Sequence, residues 1–244
     1  MGIKYHVDEK FFDGWSPIMA YVLGYFYADG SMYPSVRGKY IVVTSIDRST
    51  ILKIKKWLHS HHTVREESST WANGKKRYIL RIGNAALYEA LKLRGLYPNK
   101  SLTIKIPTIP RKFLKDFVRG YFDGDGCVYL YRSAGISQLL ILRKLSIIFT
   151  SGSKRFLIGL LAQLKKELPL NQKNIYRGQR SFQLRLSTGD SVSLFKFMYG
   201  GVKSDVFLRR KYDTFSRYFK LRPQRIDGEV KAVLQFIGNG HVAK

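Results

Sequence analysis

The chain has 244 residues, enough for one large domain or for two small half-domains each with its own core. Forty-three Lys and Arg against seventeen Asp and Glu leave a net charge of +26, which calls for a polyanionic partner without choosing among DNA, RNA and a membrane surface. The sole cysteine, Cys127, excludes an intrachain disulfide and a cysteine-based zinc cluster, no apolar run is long enough to span a membrane, and the acidic Asp8, Glu9 and Asp13 do not read as a secretory signal, so an intracellular or organellar compartment is expected.

Residues 1–15 read as a short arm, with Phe11, Phe12 and Trp15 packing under the first helix. Ser16 and Pro17 supply a cap followed by proline at the first helical position, where its missing N–H costs little. Ile18, Val22, Tyr25 and Phe26 then recur at helical spacing, and the run closes on Asp29-Gly30. Pro34 and Gly38 punctuate a hairpin. Residues 39–45 read as a strand with Lys39, Ile41 and Val43 on one face and Tyr40, Val42 and Thr44 on the other; the sequence does not decide which face is wet. Ser49 or Thr50 begins a helix carrying Ile51, Ile54 and Leu58. His59, His61 and His62 mark its boundary with the next strand, since no cysteine or acid completes a zinc spacing. Trp71, Asn73 and Gly74 belong to a hairpin loop, and residues 77–82 return as a strand. Its Tyr78, Leu80 and Ile82 face the core, which leaves Arg77 and Arg81 either to contact phosphates and base edges or simply to face solvent. Asn84 starts a short helix through Leu87 and Leu91, ended by Gly95 and Pro98. Lys100, which follows, suits a phosphate or solvent role when read alone.

In the second half Phe113, Phe117, Tyr121 and Phe122 repeat the aromatic stripe, closing on Asp125-Gly126. Residues 127–131 and 140–150 read as strands, with Cys127 expected as a small, at least partly buried thiol. A helix follows through Phe156, Leu157, Leu160, Leu161, Leu164 and Leu168. The next hairpin turns around Gly178, and there Phe182, Leu184 and Leu186 oppose Gln183, Arg185 and Ser187. Gln183 and Arg185 either read major-groove edges or belong to a solvated face. Residues 190–199 are helical, Arg209, Arg210 and Lys211 concentrate charge, and Val230, Val233, Leu234 and Ile237 make a last, peripheral helix.

Two stretches stand out as copies of one pattern, VLGYFYADG at 22–30 and VRGYFDGDG at 118–126. Each places a glycine third, Gly24 and Gly120, where another backbone can approach closely, and each closes on Asp-Gly. Gly30 and Gly126 are expected in the left-handed conformation just past a helix end. Asp29 and Asp125 then sit at helix C-termini, where outward-pointing carbonyls make a poor field for an anion. A divalent cation would compensate both, because carboxylates and terminal carbonyls are hard oxygen donors. For either copy alone, a common Asp-Gly turn is the plainer account.

The pair resembles the signature of LAGLIDADG homing endonucleases of the monomeric, two-motif type. The segment from Gly95 to Ser101 with Ile106-Pro107, and residues 208–212, are similar to further family segments, so the likeness organises roughly residues 20–220. It implies an α+β fold of two pseudo-symmetric αββαββα half-domains, forming an antiparallel saddle-shaped DNA-binding surface with the motif helices at a central seam through Gly24 and Gly120. The corresponding division is an arm at 1–15, half-domains at 16–106 and 107–222, and a peripheral tail at 223–244. It also implies that Asp29 and Asp125 bind Mg²⁺, with Mn²⁺ able to substitute, assisted by helix-terminal carbonyls such as that at position 28, here Ala28. Lys100 and Lys211 become the basic residues at the catalytic periphery, with Lys203 as runner-up to Lys211. Thr44, Arg48, Thr150 and Lys154 would approach the central phosphates, and on such a surface Arg77, Arg81, Gln183 and Arg185 are the candidates for DNA contact. The sixth motif position is Asp123 in the second copy but Tyr27 in the first, a departure from the usual acid.

The implied activity is a double-strand break, with short 3′ overhangs, in a largely asymmetric duplex of about 20 base pairs. It requires no obligate protein partner and no membrane. Two other functions share the charge and the fold: an intron RNA maturase, and a DNA-binding regulator without cleavage.

Overall fold

The structure, a computed structural model, describes residues 5–68, 76–134, 140–202 and 206–239. The loop around Trp71, Asn73 and Gly74 and the alternative lysine Lys203 lie outside the described residues. The chain divides into two compact units, Met1–Gly124 and Asp125–Lys244.

The first repeat runs α1 (Pro17–Asp29), β1 (Gly30–Ser35), β2 (Gly38–Ser45), α2 (Arg48–Trp57), β3 (Val64–Ser68), β4 (Lys76–Gly83) and α3 (Ala85–Leu93). The second runs α4 (Leu114–Asp125), β5 (Gly126–Ala134), β6 (Leu140–Ser151), α5 (Lys154–Glu167), β7 (Tyr176–Gly178), β8 (Ser181–Arg185) and α6 (Thr188–Tyr199). Both are therefore αββαββα, and α7 (Arg209–Leu221) and α8 (Gly228–Asn239) follow. The sheets have the same antiparallel topology, β1-β2-β4-β3 and β5-β6-β8-β7. In chain order α4 opens the second repeat, yet through Gly124 it belongs to the first unit, where it packs on α1. The boundary at 106/107 thus divides the chain by order, while contact divides it at the end of α4.

Side-chain caps place the helix starts. The oxygens of Ser16, Asn84, Ser153 and Ser187 accept the backbone N–H groups of Met19, Leu87, Phe156 and Asp190, at 3.1, 2.9, 3.3 and 3.2 Å. Helix α1 is buried on every side from Met19 to Tyr27, as expected of a helix with apolar residues all round. The arm packs beneath it, with Phe12 buried edge-on to Phe26 and Trp15 stacked on Phe113.

The wet faces are also settled. Ile41 and Val43 on β2 and Leu80 and Ile82 on β4 are buried, whereas Tyr40, Val42 and Thr44 are half-buried and Arg77 and Arg81 exposed. In the second unit Leu145, Ile147, Phe149 and Leu184 are buried, while Tyr129, Tyr131 and Arg185 are exposed. The two registers match step for step. Val42, Val43, Thr44 and Ser45 face Arg81, Leu80, Ile79 and Tyr78, while Ile148, Phe149, Thr150 and Ser151 face Arg185, Leu184, Gln183 and Phe182.

Two local expectations need correction. Gly30 is extended, with φ −84° and ψ 146°, and Gly126 is not among the glycines of positive φ. Each starts a strand directly, so there is no left-handed cap. Gly30 is instead required by space, because a Cβ there would stand 2.5 Å from the Phe26 carbonyl oxygen. Cys127 is exposed, since it lies on β5 beside the helix end on the same face as Tyr129 and Tyr131. Among the described residues, no helix is long and apolar enough to cross a membrane.

Candidate active site

The site is built around the contact of α1 with α4. A Cβ on Gly24 would lie 2.1 Å from the Phe117 carbonyl oxygen, and one on Gly120 would lie 1.9 Å from the Tyr21 carbonyl oxygen. The obstruction is backbone in both cases, so neither helix could yield without moving the other. The contact continues to the helix ends: a Cβ on Gly124 would meet the Cβ of Ala28 at 2.3 Å and Oδ2 of Asp29 at 3.2 Å. The seventh motif positions are therefore small against small.

Asp29 ends α1 half-buried, and Asp125 ends α4 exposed. Tyr25 stands one helical turn before Asp29, with its hydroxyl in the field of the Asp29 carboxylate. Burial first, and the Asp29 charge second, hold this phenol well above its ordinary pKa, so it stays a neutral hydroxyl. Tyr25 was read from the sequence only as part of the apolar stripe. Its tie to Asp29 follows from i,i+4 spacing on a helix, a signal masked by the surrounding aromatic residues.

Lys100 and Lys211 are buried, at 6% and 5% exposure. Lys100 Nζ donates to the Tyr27 carbonyl at 3.0 Å, and Lys211 Nζ donates to the Gly126 carbonyl at 2.6 Å. One carbonyl lies two residues before Asp29 and the other one residue after Asp125, so each motif has an ammonium group at its end. An ammonium is favourable at the negative end of a helix. The compensating positive charge inferred from the repeated acids is thus supplied in part by lysine.

The sixth motif positions diverge for a local reason. Tyr27 donates through its hydroxyl to the Arg94 carbonyl at 2.8 Å and fills the space left by Gly95, where a Cβ would come within 2.6 Å of that hydroxyl. Asp123 is buried and accepts from the Tyr21 hydroxyl at 2.8 Å. Beside it, Arg119 pairs with Asp116 at 2.7 Å, both buried, and lies over the Tyr21 ring. This polar cluster inside a helix contact went unread; the i,i+3 spacing of Asp116 and Arg119 was its only trace.

The DNA-reading candidates separate into kinds. Arg77 is engaged with Glu67 across the strand pair at 2.7 Å. Arg81 lies over the Tyr40 ring at 4.1 Å. Arg185 donates from Nε to Gln183 Oε1 at 2.8 Å and lies over Tyr176 at 5.6 Å. Arg48 and Lys154 are exposed in the first turns of α2 and α5, helices that each follow an inner strand, β2 or β6. Among the described residues no three or more His, Cys, Asp or Glu are grouped to hold a metal, His59, His61 and His62 included. His62 is buried and shares a 3.0 Å hydrogen bond with Ser60.

Comparison with known proteins finds relatives of this fold. The sequence model of the LAGLIDADG-like domain matches residues 16–94. The fold is similar to that of the homing endonuclease I-WcaI bound to its DNA recognition sequence, with TM-score 0.55 and 14% identity over 84% of this chain and 90% of that one. It is similar also to the LAGLIDADG meganuclease I-AabMI bound to uncleaved DNA, with TM-score 0.55 and 13% identity over 92% of this chain and 98% of that one. Full-length DUF199/WhiA from Thermatoga maritima gives TM-score 0.53 and 15% identity over 96% of this chain and 71% of that one. At these identities the likeness is one of fold. A comparison with curated proteins gives no match.

Proposed function

We propose, from the match of residues 16–94 to the LAGLIDADG-like domain and from the likeness of fold, that this chain is a LAGLIDADG-type site-specific DNA endonuclease. It cuts both strands of a long, largely asymmetric duplex by divalent-metal-dependent hydrolysis and leaves short 3′ overhangs. The observation that carries this reading is the packing of Gly124 on Ala28, beside the Asp29 carboxylate: the other motif acid, Asp125, is the next residue along the chain. Duplex DNA as partner is supported by the charge of +26 and by the DNA-bound state of I-WcaI and I-AabMI.

The residues fit a hard divalent ion. Gly124 presents no side chain toward Oδ2 of Asp29, where a Cβ would stand 3.2 Å away and crowd an ion. Carboxylates suit Mg²⁺ or Mn²⁺, and such ions complete their shells with backbone carbonyls, water and substrate phosphate. Asp29 and Asp125 would hold the metal. When bound, it lowers the pKa of attacking water and stabilises charge developing on the phosphate. The neutral Tyr25 hydroxyl accompanies the Asp29 carboxylate. Lys100 and Lys211 set positive charge at the two helix ends and help neutralise phosphate, so no histidine is needed as base.

The test is a cleavage assay and a binding assay run together on Asp29→Asn and Asp125→Asn. Each variant is expected to lose at least about 100-fold in metal-dependent cleavage while keeping most of its duplex affinity. Undiminished cleavage by both variants would remove the assignment. Selective affinity for an intron transcript, with no duplex cut from a diverse library, would favour a maturase instead.

A further inference from the structure

We propose that Arg81 and Arg185 are a matched pair of guanine readers, one in each half, so that the DNA target carries one G·C pair in each half-site whose identity is set by a single arginine. The inference rests on the endonuclease reading and deepens it by naming bases in the substrate.

The first support is register. Arg81 faces Val42, one step from the Leu80–Val43 pair, and Arg185 faces Ile148, one step from the Leu184–Phe149 pair. The two arginines therefore hold the same place in two sheets of the same strand order. Both are exposed, on the face opposite the buried leucine of their own strand.

The second support is that each head is oriented without being used up. The Arg81 guanidinium lies 4.1 Å from the centroid of Tyr40 and 5.5 Å from that of Tyr33, and the two rings stack on each other at 5.4 Å. Tyr40 is paired in register with Gly83, whose missing side chain gives the ring room; a Cβ there would be 3.0 Å from Cε1. Arg81 makes no hydrogen bond or ion pair with the described residues, so its donor fork stays open beside the rings. Arg185 reaches a similar state differently: Nε donates to Gln183 and the guanidinium lies over Tyr176, leaving the two terminal nitrogens to donate elsewhere. Seated on an aromatic ring, a planar fork loses less freedom on engaging the two acceptors that guanine shows in the major groove. Arg77, on the same face of β4, has its fork taken by Glu67 and serves as the contrast.

The experiment selects bound sequences from a randomised duplex library, without added divalent metal, using the full chain and its Arg81→Ala, Arg185→Ala and Arg217→Ala variants, the last at an exposed position on α7. The native chain should select one guanine in each half that the corresponding variant no longer requires. Arg81→Ala and Arg185→Ala should each lose roughly tenfold discrimination at one position, in opposite halves, while Arg217→Ala leaves the preferred sequence unchanged. Arg81→Lys keeps the charge without the fork and should keep affinity while losing the same discrimination, which separates base reading from folding and from phosphate attraction. A selected site whose base preferences survive both alanine variants, or relax evenly at all positions, would overturn the pairing and leave the duplex-binding reading intact. Failure to select any duplex sequence would overturn both.

Discussion

At the residue scale, chemistry depends on how each motif acid is held. Asp29 is accompanied by Tyr25, whose phenol burial keeps protonated. Tyr25→Phe keeps the ring and removes only that hydroxyl, so it should reduce cleavage by about 10- to 100-fold at unchanged duplex affinity, with a raised metal requirement. Titration of cleavage against Mg²⁺ checks this; an unaltered metal dependence would show that Asp29 needs no such support. His62 offers a pH test remote from the acids. Burial first, then the charge of Lys55, lowers its pKa below the ordinary 6.5, so the folded state resists a proton that the unfolded chain accepts. The contribution is fully present above 6.5 and declines as pH falls below that value. Denaturant melts should therefore show stability falling from neutral to mildly acid pH, with a shallower fall in His62→Gln.

At the scale of elements, the helix contact is the least forgiving part of the fold. Gly24→Ala and Gly120→Ala each place a methyl group within about 2 Å of a backbone carbonyl oxygen. Each should cost about 3 kcal/mol or more, because backbone cannot rotate aside as a side chain can. The double variant should cost less than the sum, since helices already forced apart have room for the second methyl. Chemical denaturation of the three variants measures this, with Gly14→Ala, where an added methyl meets nothing within 4 Å, as control. Much at this scale was legible in the sequence. The glycines stood out because they interrupt an aromatic stripe at the same place twice, and the strand faces because Tyr78, Leu80 and Ile82 alternate with Arg77, Ile79 and Arg81. Gly30 and Gly126 were misread because an Asp-Gly at a helix end looks the same whether the chain turns or runs straight into a strand. The parity of β2 was unreadable because both of its faces carry apolar residues.

At the scale of the whole molecule, the proposed function takes attraction for DNA from the charge of +26 and assigns the chemistry to the acids. The sequence showed the acids as a pair, since repetition at a fixed motif position survives where single Asp-Gly signals carry little. It showed Lys100 and Lys211 only through resemblance, because a lysine that reaches a distant carbonyl leaves no local pattern. The buried Asp116, Arg119, Tyr21 and Asp123 cluster was hidden for the same reason: its long-range hydrogen bond joins residues 102 positions apart. The claim on which the rest depends is that Asp29 and Asp125 serve one metal-dependent centre. Its most direct test is Mn²⁺ binding, followed by electron paramagnetic resonance, to the chain on a duplex made uncleavable at the scissile phosphates. Asp29→Asn, Asp125→Asn and the double variant are compared with the native chain. A shared centre predicts that either single substitution removes the tightly held manganese as completely as the double; full retention by each single variant, or two separate and additive losses, would contradict it.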